Sequence, residues 1–187
     1  MKEKYTKLSY VVDPLTLLLI LIVFFAAWYS AANLAFRFIN KKTAQRCGCE
    51  VVKYAGEPSS LLVDLQCPEG RLGLFIKRAP WDNPLNLLFF YATGRKPYVV
   101  VRLASPRDLG ASDASRRGKG RRAGAYYVVN NSTPREVLEQ LLKFGEEVGA
   151  WRITTYGKVV QVMWRGSDCG KAVEAGRRAL RLLNNAY

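Results

Sequence analysis

The chain has 187 residues and a formal net charge of +14, with 29 lysines and arginines against 15 carboxylates and no histidine. Without an imidazole no Ser-His-Asp triad, Cys-His pair or histidine-ligated zinc centre can be built, so those mechanisms are excluded. The charge is unevenly spread: residues 43–94 carry five basic and five acidic side chains, whereas residues 95–187 carry eighteen and eight.

A short basic tail, residues 1–13, precedes Pro14 to Phe36, a run of 23 residues without a charge. At about 1.5 Å of rise per residue this run reaches about 34 Å, enough to cross a hydrocarbon layer about 30 Å thick. A transmembrane helix is predicted over residues 14–40, with Asp13 as its cap and Pro14 in its first turn. A cleavable signal peptide fits less well, because the apolar part of such signals is only about 7 to 15 residues long. Ala27, Ala31 and Ala35 recur at every fourth position and form a stripe of small side chains on which a second membrane helix can pack. Arg37, Lys41, Lys42 and Arg46 follow the span, one cation more than the Lys2, Lys4 and Lys7 that precede it. That bias points the C-terminal part toward the cytoplasm.

About 145 residues remain beyond the span, enough for one ordinary domain with its own core. The near-neutral region 43–94 reads as a meander of three strands, at 50–54, 61–66 and 72–77, separated by Gly56-Glu57-Pro58 and Pro68-Glu69-Gly70. Asn83 as cap, Pro84 in the first turn and Gly94 as terminator predict a short apolar helix. Burial in the core is the expected fate of such a helix, and a position against the bilayer is the functional alternative. The spacing Cys47-Gly48-Cys49 is not the CxxC of redox or zinc-ribbon motifs. With Cys67 and Cys169 it leaves free buried thiols, one disulfide from Cys67 to Cys47 or Cys49, or, last in order, a metal site.

The basic region 95–187 opens with a strand at Tyr98 to Leu103. Residues 104–124 show no apolar periodicity and read as a flexible loop, in which Arg116, Arg117, Lys119, Arg121 and Arg122 stand within seven residues. Cations spaced by glycine suit contact with phosphates of RNA, DNA or anionic lipid, against the plainer reading of a solvated hairpin tip. A strand at 125–130 follows, then the capping-box pattern Thr133-Pro134-Arg135-Glu136 opening a helix over 134–148, with Gly149 as its terminator. Gly157-Lys158 between two apolar runs predicts a type II′ hairpin with Tyr156 opposite Val159, Ile153 opposite Val162 and Trp151 opposite Trp164. Its inner face is a core face, and its outer face carries Arg152, Tyr156, Met163 and Arg165, groups on which single-stranded nucleic acid stacks. Asp168 caps a last helix running to residue 184, whose outer side carries Lys171, Arg177, Arg178 and Arg181. Cys169 in its first turn is the one nucleophile candidate with a physical mechanism, a thiol pKa lowered by the helix dipole, although a packed thiol is the commoner case.

These elements predict an α+β protein: one N-terminal transmembrane helix, then one soluble domain with an antiparallel or mixed sheet and two main helices. The order strand, helix, strand, strand, helix after residue 125 matches most of a split βαβ unit, a topology that carries no function with it. No cofactor motif and no catalytic constellation is present. The expectation is a single-pass, non-enzymatic binding or scaffold protein in the cell membrane, presenting a basic domain on the cytoplasmic side to anionic lipid, nucleic acid or an acidic partner. An accessory subunit of a membrane complex, held through Ala27, Ala31 and Ala35, is the alternative, and a thiol enzyme the last.

Overall fold

A computed structural model describes residues 13–185, so the basic tail with Lys2, Lys4 and Lys7 lies outside the described residues. Helix α1, Pro14–Gln45, is long and apolar enough to cross a membrane, and its most apolar window buries nothing against the rest of the protein. Proline occupies the first turn as expected, but the Asp13 carboxylate makes no capping bond; its backbone carbonyl accepts the Leu17 N–H instead. The helix also runs five residues beyond the expected end at Asn40. Asn40 and Ala44 are buried against the domain, so tertiary packing carries the helix on where the apolar pattern stops.

Strands β1 (Glu50–Glu57), β2 (Ser60–Cys67) and β3 (Gly70–Lys77) form the meander. Helix α2 (Pro84–Ala92) follows, its first turn capped by Asn83 Oδ1, which accepts from the N–H groups of Leu85 and Asn86. Then come β4 (Tyr98–Ala104), β5 (Ala111–Ser115), β6 (Arg121–Ala123), β7 (Tyr126–Val129), α3 (Arg135–Glu147), β8 (Arg152–Tyr156), β9 (Val159–Arg165) and α4 (Cys169–Asn185). The strands make one nine-stranded antiparallel sheet in the order β1-β2-β3-β4-β9-β8-β5-β7-β6. The fold is therefore α+β, and the meander is part of the common sheet through the β3–β4 pairing rather than a separate unit.

Residues 104–124, expected as a flexible loop, contain β5 and β6. Strand β5 is built from Ala, Ser and Asp, residues with little strand preference of their own, yet it is bonded on both edges, to β7 and to β8. Completed ladders on two sides outweigh intrinsic propensity. The Ser112 hydroxyl shares a hydrogen bond with Thr155, 2.9 Å away in the core, and so satisfies a group that composition alone assigns to solvent.

Helices α3 and α4 cover one face of the sheet. Val63, Leu74, Val101, Val162, Ile153 and Ala114 lie side by side in register along that face, and all are buried. The β8–β9 hairpin has the expected register, with Tyr156 opposite Val159 and Ile153 opposite Val162. Gly157 has φ +55° and Lys158 is not among the described residues with positive φ, as a type II′ turn requires. The expected capping box of α3 does not form: Thr133 spends its hydroxyl on Thr155, 2.8 Å away in the core, and Pro134 takes the cap position without a side-chain bond.

All four cysteines are bonded, Cys47 to Cys169 and Cys49 to Cys67, with Cα separations of 5.4 and 5.1 Å. Free thiols, a metal site and a Cys169 nucleophile are thereby replaced. Cys47, just past the end of α1, and Cys169, the first residue of α4, are 122 residues apart in sequence, so this bridge ties the two helix ends together.

Candidate functional site

Strands β3, β4 and β9 end together near the C-terminal part of α1, where the register sets Lys77 beside Tyr98 and Tyr98 beside Arg165. Arg78, the residue after β3, ties this end of the sheet to α1. Its guanidinium donates to Asn40 Oδ1 and, at 3.3 Å, to Thr43 Oγ1, and lies 5.7 Å from the centroid of the Phe36 ring. Desolvation pulls its pKa below the usual arginine value.

Two adjoining cavities open at this end. The first, about 690 Å³, lies between the end of α3, the start of α4 and the turn after β5. Arg116, Arg117, Arg165, Lys171 and Arg178 line it together with Trp151 and Trp164, against only Asp168 and Glu174. The second, about 790 Å³, lies between α2 and the strand ends. Lys77, Arg78, Arg95 and Lys96 line it with Tyr98, Phe89 and Phe90, and no carboxylate does. Arg117, Trp151 and Arg165 line both, so the two cavities form one groove.

The groove walls are held from behind. Trp164 donates its indole N–H to Val148 O at 3.1 Å, and Asp168 Oδ1 accepts the Lys171 N–H at 3.2 Å as the cap of α4. Arg178 pairs with Glu147 at 3.0 Å. By contrast Lys77, Lys96, Arg117, Arg165 and Lys171 have no carboxylate partner among the described residues. The Trp151 Nε1–H, buried where the cavities meet, has no acceptor among the described residues. Donors and aromatic faces thus outnumber the two carboxylates on this surface, which suits a ligand rich in acceptor oxygens.

The eleven cations singled out from sequence fall into three groups. Arg116, Arg117, Arg165, Lys171 and Arg178 are brought together in the groove. Arg152, Arg177 and Arg181 are structural: Arg152 grips Asp113 with bonds of 2.9 and 2.6 Å, and Arg177 and Arg181 converge on Glu69 at 2.7 and 2.9 Å. The Arg177 hydrogen bond above all holds the Glu69 carboxyl at about 2, and carboxylate partners raise Arg152 and Arg177 in turn. Lys119, Arg121 and Arg122 are exposed on the β5–β6 turn and on β6, which closes the far edge of the sheet. The stacking surface expected on the outer face of the hairpin is thus interrupted by the Arg152–Asp113 pair.

Sequence reasoning missed Lys77, Arg78, Arg95 and Lys96, because the balanced charge of residues 43–94 hid the first two. Their signal was two cation doublets flanking an apolar helix. Ala27, Ala31 and Ala35 are all exposed, and the domain meets α1 along a different stripe, Trp28, Ala32, Phe36, Asn40 and Ala44. Among the described residues no cluster of carboxylate, histidine or cysteine groups is arranged to hold a metal ion.

No protein-family model matches this chain, and neither a curated protein nor a solved structure matches it. Its function has to be argued from the groove.

Proposed function

We propose that the protein is a single-pass membrane protein whose domain binds the phosphate-bearing headgroup of an anionic lipid in the groove between α2, α3 and α4. The observation that carries this reading is the continuity of the two cavities through Arg117, Trp151 and Arg165, beside cations that have no carboxylate partner. A binding role is favoured over thiol chemistry because all four cysteines are bridged, which leaves no thiolate to act in the groove. Lipid is favoured over nucleic acid because two disulfides persist in an oxidising compartment, where nucleic acid is not the available polyanion. The same disulfides support a position of the domain on the outer side of the membrane, against the cytoplasmic bias of one cation in the flanking charges.

The test is native mass spectrometry of the detergent-solubilised full chain with phosphatidylglycerol and with phosphatidylcholine. Replacing Arg117, Arg165 and Lys171 together by Gln should cut retention of phosphatidylglycerol by at least about tenfold, since each cation close to an anionic headgroup contributes about 1 kcal/mol. Replacing Lys119, Arg121 and Arg122 by Gln should leave it unchanged. Equal retention by the wild type and the groove variant overturns the reading.

A second reading, an accessory subunit of a membrane complex, is favoured by one observation: the Ala27, Ala31 and Ala35 stripe stays exposed on α1, beside the stripe that meets the domain. Ala31→Leu would then abolish co-purification with another membrane protein, whereas the groove variant would not.

A further inference from the structure

We propose that α2 is a second membrane element, a helix lying in the bilayer interface beside α1 with its apolar side chains among the lipid acyl chains. Nine residues are too few to span a bilayer, so the segment lies on it rather than crosses it. Leu85, Leu88, Phe89 and Tyr91 are 64, 69, 59 and 61% exposed, although the only side chain of α2 that is buried is Phe90. An apolar helix facing water in this way is unfavourable, and the chain nearby says what covers it.

The residues leading into α2 rest on the apolar part of α1. Trp81 O accepts the Trp28 indole N–H at 2.8 Å, and the Trp81 ring lies 6.4 Å from the Phe36 ring. Trp28 is eight residues before the end of the uncharged run, which at 1.5 Å per residue sets it about 12 Å below Phe36 along the helix. If α1 spans the membrane, the entry to α2 is therefore at the depth of lipid. The apolar stretch itself is bounded by charge on both sides: Asp82 precedes it, no residue from Asn83 to Gly94 is charged, and Arg95 and Lys96 follow at once. The Arg95 guanidinium lies 5.8 Å from the Phe89 ring centroid, so a cation caps the apolar side chains where the uncharged stretch ends. Phe89 and Phe90 also line the second cavity, so docking α2 in the interface brings the groove to headgroup level.

This inference rests on α1 spanning the membrane, and the experiment separates the two. A benzophenone amino acid is placed singly at Leu19, Leu88 or Tyr156 of the full chain and photolysed in native membranes, and adducts are identified by mass. Leu19 reports on the anchor, and Tyr156, 80% exposed at the β8–β9 turn, is the control for a water-facing site. Acyl-chain adducts at Leu88 should approach those at Leu19 and exceed those at Tyr156 by about tenfold or more, as expected for a helix buried at the acyl boundary. Lipid adducts at Leu19 but not at Leu88 overturn the placement of α2 alone. A polypeptide adduct at Leu88 overturns it in favour of a protein partner or a second copy. No lipid adduct at either position overturns the anchor and α2 together.

Discussion

The indole N–H of Trp28, within the apolar helix, donates to the backbone carbonyl of Trp81, 2.8 Å away and 53 residues later in the chain. Water repairs a lost hydrogen bond at a hydrated site, and lipid does not. Trp28→Phe keeps an aromatic ring but removes the donor, leaving the carbonyl unpaired at a cost of about 1–3 kcal/mol if its surroundings are apolar. The full chain in lipid nanodiscs should therefore melt at a lower temperature by circular dichroism. An unchanged midpoint would mean that Trp81 is hydrated.

Glu69 sits in the β2–β3 turn and is gripped by Arg177 and Arg181 of α4. Its pKa is lowered from 4.5 to about 2, first of all by the Arg177 hydrogen bond. Because the folded value is the lower one, the carboxylate stabilises the fold fully above about pH 4.5, and this contribution fades as pH falls toward about 2. Glu69→Gln should flatten that part of the acid-unfolding curve and lower stability at neutral pH. The measurement is the thermal midpoint as a function of pH for the two proteins.

The two disulfides close loops of very different length, with sequence separations of 122 and 18 residues. In the chain-entropy account, losing the longer loop costs about 5 kcal/mol and the shorter about 3 kcal/mol, before any strain. The paired variants Cys47→Ser with Cys169→Ser, and Cys49→Ser with Cys67→Ser, should rank in that order in denaturant midpoint. In isolated membranes none of the four thiols should react with maleimide until a reductant is added.

Gly145 on α3 packs directly on the sheet. A Cβ there would come 2.7 Å from Tyr126 Oη and collide with Ile153 Cδ1. The Tyr126 hydroxyl is already committed to Ala150 O at 2.7 Å and cannot easily retreat. Gly145→Ala should destabilise the protein by about 1–3 kcal/mol, even though alanine favours the helix by about 1 kcal/mol. Adding Ile153→Val removes one of the two clashing atoms and should recover part of the loss, a coupling that a double-mutant cycle of thermal midpoints would measure.

Local chemistry was enough for several elements. The Asn83-Pro84 start of α2, the Gly157 turn with its register and the inward faces of α3 and α4 all follow from neighbours within a few positions in the chain. Thr133 shows where that stops. Its spacing to Glu136 reads as a capping box, but Thr155, 22 residues away, competes for the hydroxyl and holds it in the core.

By itself the sequence determined an apolar helix of membrane-spanning length, an α+β order of elements and a strongly basic second half, because hydropathy, periodicity and charge are properties of contiguous stretches. Only the tertiary structure decided which cations act together. Arg152, Arg177 and Arg181 are neutralised by carboxylates 39, 108 and 112 residues away, whereas Lys77, Arg95, Arg117 and Lys171 meet around one groove from four separate stretches. Such pairings come from closing a sheet of nine strands over long loops. No spacing along the chain records them.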